Sequence, residues 1–454
     1  MKNSTDYIKA RDLLLSYIEN YDDLTSVNTA DNSRTEYVPL EECFDRILAF
    51  DLRARENVPA FDRSPYDGYA FRASDTENAS KEKPVTLRVV EEIPAGSVPT
   101  EKITSGTAAK VLTGAPIPEG ADAVIMFEKT QFTADEVIIS ECVKPGDNIV
   151  RIGEDVRKGE LLVERGTVID AGLAGTLAAQ GIASPLVFKK PVVGIISTGS
   201  ELAEFDAVSK SNAVNESEGL DSGNESIKLT DESKPEGHDS VYEQQLSRSG
   251  KIRNTNRYTF AAALQKDGCE TVYLGTAADA VDEIAGLIEQ GLMRCDLLIL
   301  TGGVSVGDYD LTPAAMEQAG CRILANGVNL KPGMACCYGI AGNKLVCALS
   351  GNPSSSLTNY YAVVRPAVRK LTRRRDYLPE IIEVTLAEDF NKKSKALRIL
   401  KGRLDISGGK VLMHIPKGQG NVMIGSSIGC DVMAVVPAGF EALAAGTKLK
   451  GFLV

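Results

Sequence analysis

The most informative stretch of the chain is Thr301-Gly302-Gly303-Val304-Ser305-Val306-Gly307-Asp308-Tyr309-Asp310, which directly follows the apolar run Leu297-Leu298-Ile299-Leu300. The pattern predicts a buried strand that ends in a loop of small residues with carboxylates behind it. In open α/β sheets, ligands bind at the carboxyl ends of the strands, where glycines let the backbone approach an anion. An ordinary glycine-rich turn is the alternative, and one loop alone does not decide between the two.

Three further strand candidates end in comparable loops. They are Val192–Ile196, Thr271–Leu274 and Lys344–Leu349. Between and after the strand candidates, helical patterns are predicted at about 256–266, 280–291, 312–319 and 354–373. The alternation predicts a mostly parallel, doubly wound sheet covered on both faces, so all four loops should lie at one edge.

Three of these loops contribute a carboxylate, namely Glu201, Asp279 and Asp310. Because Mg²⁺ is commonly held by one or two carboxylates together with substrate phosphates, we predict that these acids form a magnesium site. For each acid taken singly, a helix cap or a solvated charge is the alternative.

Backbone and cationic groups complete the predicted anion site. The N–H groups of Gly302, Gly303 and Gly351 are predicted to bind phosphate or another oxyanion. Gly351-Asn352-Pro353 opens a helix for which Ser354 or Ser355 is the expected N-cap. Lys331, in the turn Lys331-Pro332-Gly333, is expected to meet an anion as a point charge.

Composition bounds the class of protein. A chain of 454 residues with 43% hydrophobic and 25% charged residues predicts a multidomain globular protein. The net charge of −12 argues against a nucleic-acid binder. The sequence lacks a long apolar run and a signal-peptide pattern, which predicts a cytoplasmic protein with no membrane contact. Two histidines and no Cys-x-x-Cys pair argue against a zinc site and a Ser-His-Asp hydrolase.

Changes in composition and hydrophobic pattern along the chain predict four domains. Residues 1–55 with 150–189 are expected to form a helical, elongated domain, in which helices near 7–20 and 167–181 pack together and a short helix spans about 40–49. Residues 56–149 are predicted to be an inserted β domain, 190–376 the α/β domain, and 377–454 a small β domain. Within the α/β domain, 205–250 is predicted to be a disordered acidic insertion, since 203–249 holds 11 acidic and 4 basic residues.

These motifs together resemble molybdopterin molybdenumtransferases, the MoeA family that includes the gephyrin E domain. The resemblance covers the chain except 205–250 and is carried by Ser64–Ala70, Leu112–Gly120, Gly153-Glu154-Asp155, Ser197–Leu202, Thr301–Asp310, Lys331-Pro332-Gly333 and Gly351-Asn352-Pro353. It implies insertion of molybdate into adenylylated molybdopterin with release of AMP and a need for Mg²⁺. It also implies a homodimer in which the β domain of one subunit contributes to the site of the other, and a molybdopterin adenylyltransferase as a partner.

Matching positions carry roles over from the family. Asp67 and Thr113 match functional positions of the β domain, and Glu201, Asp279 and Asp310 match the acids around pterin and metal. The remaining matches, assigned to binding of the pterin substrate or molybdate, are Gly302, Gly303, Ser305, Lys331, Gly333, Gly351, Asn352, Pro353 and Ser355.

Several positions depart from the family pattern. Met334-Ala335 follow Lys331-Pro332-Gly333 where the family often has Lys-Pro, so one cation of the expected molybdate pocket is missing. The other departures are Ser350 for proline, Lys401 for arginine, Asn421 for serine and Asn254 for aspartate.

Three other functions stay open at this stage. A molybdopterin adenylyltransferase would not need the β domain that carries Asp67 and Thr113. A non-catalytic scaffold of the gephyrin kind would not need the three carboxylates. A nucleotide-binding oxidoreductase is disfavoured because no Gly-x-Gly-x-x-Gly follows a predicted strand.

Overall fold

A computed structural model describes residues 5–19, 34–204, 250–304 and 311–454. The chain divides into two compact units, one formed by Met1–Glu36 with Phe188–Val454 and the other by Tyr37–Val187. In the described part, no helix is both long enough and apolar enough to cross a membrane. Each unit is considered by itself below.

The first described helix, α1, spans Tyr7–Glu19, as the sequence predicts. Asp6 lies before it, and its carboxylate accepts two backbone N–H groups of the first turn. The face with Tyr7, Ala10, Leu14 and Ile18 is buried in the core of the α/β sheet. The helix near residue 175 belongs to the other unit, so the expectation that the two helices pack together stays a prediction.

Short strands dominate the chain between residues 35 and 188. The elements are β1 (Thr35–Tyr37), β2 (Leu52–Arg53), β3 (Gly68–Phe71), β4 (Val85–Ile93), β5 (Thr107–Val111), β6 (Ala123–Met126), β7 (Thr130–Phe132), β8 (Glu136–Ile139), β9 (Leu161–Val163), α2 (Ala171–Ala179) and β10 (Leu186–Phe188). Asp170 caps α2, since its Oδ1 accepts the N–H of Leu173 at 2.8 Å. The short helix expected at about 40–49 is only a 3-10 turn, Leu40–Glu42.

Strands β3 to β8 form a six-stranded mixed sheet in the order β6-β3-β5-β4-β8-β7. Tyr69 and Phe71 of β3 are buried in one apolar cluster, and Ala70 between them is buried in another. Because successive side chains of a strand point to opposite faces, both faces of this sheet are covered. The sheet lies within the residues predicted to form the inserted β domain.

The α/β region carries the predicted alternation of strands and helices. Its elements are β11 (Val192–Thr198), β12 (Leu202–Ala203), β13 (Ile252–Arg253), α3 (Thr255–Lys266), β14 (Glu270–Ala277), α4 (Val281–Arg294), β15 (Leu297–Thr301), α5 (Leu311–Gln318), β16 (Arg322–Asn326), β17 (Cys336–Ala341), β18 (Lys344–Leu349), α6 (Pro353–Asn359), a π-helical turn (Tyr360–Val364) and α7 (Arg365–Leu371). All four predicted strands are present.

The main sheet has the order β14-β11-β15-β18-β17-β16. The first four strands are parallel, whereas β17 pairs antiparallel with both of its neighbours. Leu297 and Ile299 of β15 are buried against α1 and α3, and Leu298 and Leu300 are buried against α4 and α5. Helices therefore cover both faces, which confirms the doubly wound, mostly parallel domain.

The predicted helix over 354–373 is interrupted by the π-helical turn and ends at Leu371. Asp267, at the end of α3, is buried beside this turn. Its carboxylate accepts the hydroxyl of Tyr360 at 2.7 Å and the Nε–H of Arg365 at 2.9 Å. This buried ion pair ties the turn to α3, because leaving either charge without its partner would be costly.

The C-terminal part is a small closed barrel. Its strands are β19 (Ile381–Leu386), β20 (Arg398–Ser407), β21 (Lys410–His414), β22 (Val432–Val436) and β23 (Lys448–Leu453). The strand order is β19-β21-β20-β22-β23, and β19 pairs with β23 to close the barrel. Ile399, Met433 and Phe452 join the core of the α/β sheet, so the barrel packs directly on it.

The predicted acidic insertion, 205–250, lies outside the described residues except for Gly250. Its two flanks, β12 and β13, are described and pair in parallel.

Candidate active site

A cavity of about 620 Å³ lies at the carboxyl ends of the parallel strands. It is lined by the loops that follow β11, β14, β15 and β18, by residues 252–256 at the start of α3, and by Val422 and Ile424, which lie between β21 and β22. The predicted site residues among its lining are Glu201, Asp279, Gly302, Gly303, Gly351, Asn352 and Pro353. The position of the cavity follows from the strand direction, which brings all four loops to one edge.

Two glycines allow these loops to approach one another closely. A β-carbon on Gly302 would collide with the carbonyl oxygen of Thr198, and one on Gly351 would lie 3.4 Å from the Cα of Gly302. Gly302 also has a φ of +97°, which other residues rarely adopt. The loops after β11, β15 and β18 therefore pack against each other without intervening side chains.

The N–H of Gly302 donates to the carbonyl oxygen of Leu349 at 3.1 Å. The expectation that it binds an oxyanion is therefore wrong, because the group continues the hydrogen bonding between β15 and β18. The N–H groups of Gly303 and Gly351 remain the candidates for anion binding.

Two of the three predicted carboxylates line the cavity. Asp279 accepts the N–H and the hydroxyl of Ser200 at 3.2 and 3.1 Å, which ties the loop after β14 to the loop after β11. The carboxylate of Glu201 folds back over Gly199. Asp310 and Ser305 lie outside the described residues. Over the described ranges, no three His, Cys, Asp or Glu side chains are grouped to hold a metal ion, so the three-carboxylate site stays a prediction.

The loop Gly351-Asn352-Pro353 is held from α3. Asn256 donates its Nδ2–H to the carbonyl oxygen of Gly351 at 2.9 Å. The N-cap of α6 is Asn352 with Pro353 at the first helical position, so the predicted Ser354 or Ser355 cap is wrong. Both serines instead lie buried in the first turn. Asn256 was missed from the sequence because a polar residue in a first helical turn is usually solvated.

The turn Lys331-Pro332-Gly333 packs against α6 beside the cavity. A β-carbon on Gly333 would lie 3.1 Å from the carbonyl oxygen of Ser355. Asn359 donates its Nδ2–H to the carbonyl oxygen of Gly333 at 2.8 Å. The structure therefore brings Gly333 and Ser355 together, with the exposed side chain of Lys331 next to them.

Lys401, on β20, is buried beside the same helix and is only 2% exposed. Its ammonium donates to the hydroxyl of Ser354 and, at 3.4 Å, to that of Ser426. Burial lowers the pKa of Lys401 to about 8. No described carboxylate forms an ion pair with it. The sequence marked Lys401 only as a departure from arginine, although a lysine inside an apolar strand already signals a buried cation.

Asp67 and Thr113 form a pair in the other unit. The carboxylate of Asp67 accepts the N–H of Thr113 at 2.6 Å and its hydroxyl at 2.8 Å. Both bonds lower the pKa of Asp67, and the bond from the backbone N–H has the larger effect. The pair that the resemblance singled out from two separate turns is thus joined directly.

We expect Thr113→Val to raise the pKa of Asp67 only part of the way to its usual value, because the backbone bond persists when the hydroxyl is lost. Carboxyl NMR titration of the two proteins measures the change. Thr133→Val, which removes a hydroxyl that makes no hydrogen bond to Asp67, is the control. An unchanged pKa in Thr113→Val would contradict the assignment.

The parallel sheet, with a cavity and glycine- and acid-bearing loops at its strand ends, defines an α/β protein of the class that binds small ligands at this edge. Residues 8–181 match the MoeA N-terminal region (domain I and II), and residues 194–370 match a probable molybdopterin binding domain. The chain belongs to the molybdopterin molybdenumtransferase family and is an enzyme of that kind, acting in molybdenum cofactor biosynthesis.

Two curated relatives and one solved structure support this assignment. The molybdopterin molybdenumtransferase of Bacillus subtilis (strain 168) is 34% identical over 92% of this chain and 90% of its own length. That of Staphylococcus aureus (strain Mu50) is 32% identical over 90% of this chain and 88% of its own length. The crystal structure of a molybdopterin biosynthesis moeA protein from Pyrococcus horikoshii OT3 superposes with a TM-score of 0.76 at 29% identity over the full length of both chains. These matches favour the transferase over the adenylyltransferase, the scaffold and the oxidoreductase.

Proposed function

We propose that this enzyme inserts molybdate into adenylylated molybdopterin and releases AMP in a Mg²⁺-dependent reaction. The observation that carries the proposal is the cavity in which Glu201 and Asp279 face the glycine loops. Both substrates are anions, so the cavity must offset their charge while it holds them close together.

Glu201 and Asp279 supply hard carboxylate oxygens of the kind that Mg²⁺ prefers, and Asp310 is the proposed third acid. When bound, Mg²⁺ would polarise the phosphoanhydride and stabilise the leaving AMP. The two hydrogen bonds from Ser200 fix the position of the Asp279 carboxylate, which supports this proposed role. The N–H groups of Gly303 and Gly351 would bind phosphate oxygens beside these acids.

We propose that molybdate binds at the first turn of α6, near Lys331, Gly333 and Ser355. Lys401 supports this location, since its buried ammonium has only hydroxyl partners among the described residues and would gain from a nearby anion. Lys401 would then supply a positive charge although Met334 and Ala335 stand where the family has Lys-Pro. Asn421 stands where the family often has serine. Its backbone carbonyl oxygen accepts the N–H of Ser355 at 3.2 Å, and this contact does not depend on the side chain.

Molybdate affinity should fall as the pH rises through about 8, because Lys401 loses its charge there. Lys401→Met removes the proposed interaction between the ammonium and molybdate. It should weaken molybdate binding by about 10- to 100-fold below pH 8, in line with a charge-assisted bond of about 1.5–3 kcal/mol. Above the pH at which Lys401 is neutral, the two proteins should converge. Isothermal titration with molybdate between pH 6.5 and 9.5 measures both effects.

A stability measurement accompanies this test. The pKa of Lys401 is lower in the folded chain than in an unfolded one, so the ammonium opposes folding fully below pH 8 and less as the pH rises above it. Lys401→Met should therefore unfold at a higher temperature than the wild type at pH 7. A pH-independent affinity of the wild type for molybdate would contradict the assignment of Lys401.

The decisive experiment assays AMP release by the purified protein from adenylylated molybdopterin. Release that requires both molybdate and Mg²⁺ is the expected result. AMP release that proceeds equally without molybdate would overturn the proposal.

We further propose a homodimer in which Asp67 and Thr113 of one subunit serve the site of the other. The family resemblance supports it, as do the exposed side chains of Phe61 and Tyr66, which precede Asp67 in the chain. Mixing Asp67→Ala and Asp279→Asn chains should then restore part of the activity that each lacks alone. No recovery in a verified mixed dimer would contradict shared sites.

A molybdopterin adenylyltransferase is the proposed supplier of the adenylylated substrate.

A further inference from the structure

A compact polar network lies at the rim of the cavity, centred on Glu204. Its Oε1 accepts hydrogen bonds from Asn254 Nδ2 at 2.7 Å, from the hydroxyl of Tyr273 at 2.7 Å and from that of Thr276 at 2.9 Å. Its Oε2 accepts the guanidinium of Arg257 at 2.8 Å. Burial raises the pKa of Glu204, but these bonds outweigh it and leave the pKa lowered. Glu204 is therefore a carboxylate at neutral pH.

Asn254 is buried, lines the cavity and uses both ends of its amide. Its Nδ2 donates to Glu204, to Ser197 Oγ at 2.9 Å and to the hydroxyl of Tyr273 at 3.1 Å. Its Oδ1 accepts the N–H of Arg257 at 3.2 Å and so caps α3. A carboxylate at position 254 would face the carboxylate of Glu204 at about the same separation, and the Nδ2–H group that now joins the two side chains would be lost.

We propose that Glu204 is a positioning residue that acts on the active site through Asn254, and that an amide is required at position 254 because the carboxylate sits at position 204. The proposal rests on the proposed function only where ligand binding is measured.

The route from Glu204 to the ligand-binding loop is short. Glu204 holds Asn254, which caps the first turn of α3. Asn256, two residues further on, donates to the carbonyl oxygen of Gly351 at 2.9 Å. Loss of the network should therefore shift the Gly351 loop, whose backbone lines the cavity. Tyr273, on β14, supports the same turn of α3, because the guanidinium of Arg257 lies 4.0 Å from the centre of its ring.

The test is an exchange of the two groups in the full chain, with Glu204→Gln, Asn254→Asp and the double variant. Each single change should weaken AMP binding by about 10- to 100-fold, the usual effect of removing a group that orients a ligand-binding residue. Asn254→Asp should also lower the melting temperature by about 2–4 °C, because two carboxylates then meet in a part-buried site. In the double variant the new amide at position 204 donates to the new carboxylate at position 254, so AMP affinity and melting temperature should both return close to the wild type.

Glu289→Gln, on the exposed side of α4, is the matched control for an acid-to-amide change and should leave both measurements unchanged. Recovery of the melting temperature without any change of AMP affinity in the single variants would show a merely structural network and overturn the positioning role. A double variant as impaired as the two singles combined would overturn the pairing itself. If the wild-type chain fails to bind AMP, the proposed function fails, and the melting temperatures still report on the pairing.

Discussion

Asp279→Asn should reduce molybdate-dependent AMP release by at least about 100-fold, since even groups that only orient metal ligands commonly contribute about 10- to 100-fold. Asparagine keeps the shape of the side chain and can still accept the two bonds from Ser200, so the loop should stay folded. The negative charge that would hold Mg²⁺ is lost. Steady-state assays across a range of Mg²⁺ concentrations measure the effect, and excess Mg²⁺ should restore part of the activity.

Asp282→Asn provides the matched control, because Asp282 lies three residues further on, outside the cavity lining, and accepts a bond from Gln318 at 2.9 Å. Its AMP release should equal that of the wild type. Full activity in Asp279→Asn, or an equal loss in Asp282→Asn, would remove Asp279 from the proposed metal site.

Gly302→Ala should lower the free energy of unfolding by about 2–5 kcal/mol. The added methyl would collide with the carbonyl oxygen of Thr198, and the φ of +97° disfavours any side chain. Crowding of a packed region typically costs about 1–3 kcal/mol, and left-handed backbone adds about 1–2 kcal/mol. Urea unfolding followed by circular dichroism measures the loss.

Gly286→Ala serves as the control in the same domain. Gly286 lies within α4, and a β-carbon there would meet no atom within 4 Å. Alanine is preferred over glycine inside helices, so this variant should gain about 0.5–1 kcal/mol. Equal stability of Gly302→Ala and the wild type would mean that the loops after β11 and β15 are not in close contact.

Local pattern was sufficient to predict most of the α/β domain. Apolar runs such as Leu297–Leu300 predicted the parallel strands because both faces of such a sheet are buried. Glycine- and acid-bearing loops after those runs predicted where a ligand would bind. The structure brings Glu201, Asp279, Gly302 and Gly351 to one cavity, which is the convergence that parallel strands require of these loops.

Other features had no clear local signal. The strand Cys336–Ala341 contains a glycine and follows a proline-containing turn, and it exists because it can pair with Lys344–Leu349 across a short connection. The N-terminal helix shows an apolar face, but periodicity does not say which core that face will cover. The N–H of Gly302 looked available for an anion until its partner, the carbonyl of Leu349, was located.

The sequence by itself determined the class of fold, the family and the residue types at the strand ends, because these depend on short-range periodicity and on the chemistry of individual side chains. Only the tertiary structure decided which distant groups share a partner. It buried Lys401 against Ser354, joined Glu204 to Asn254 and placed Thr113 on Asp67. Such contacts depend on the three-dimensional packing of segments far apart in the chain, which no local pattern encodes.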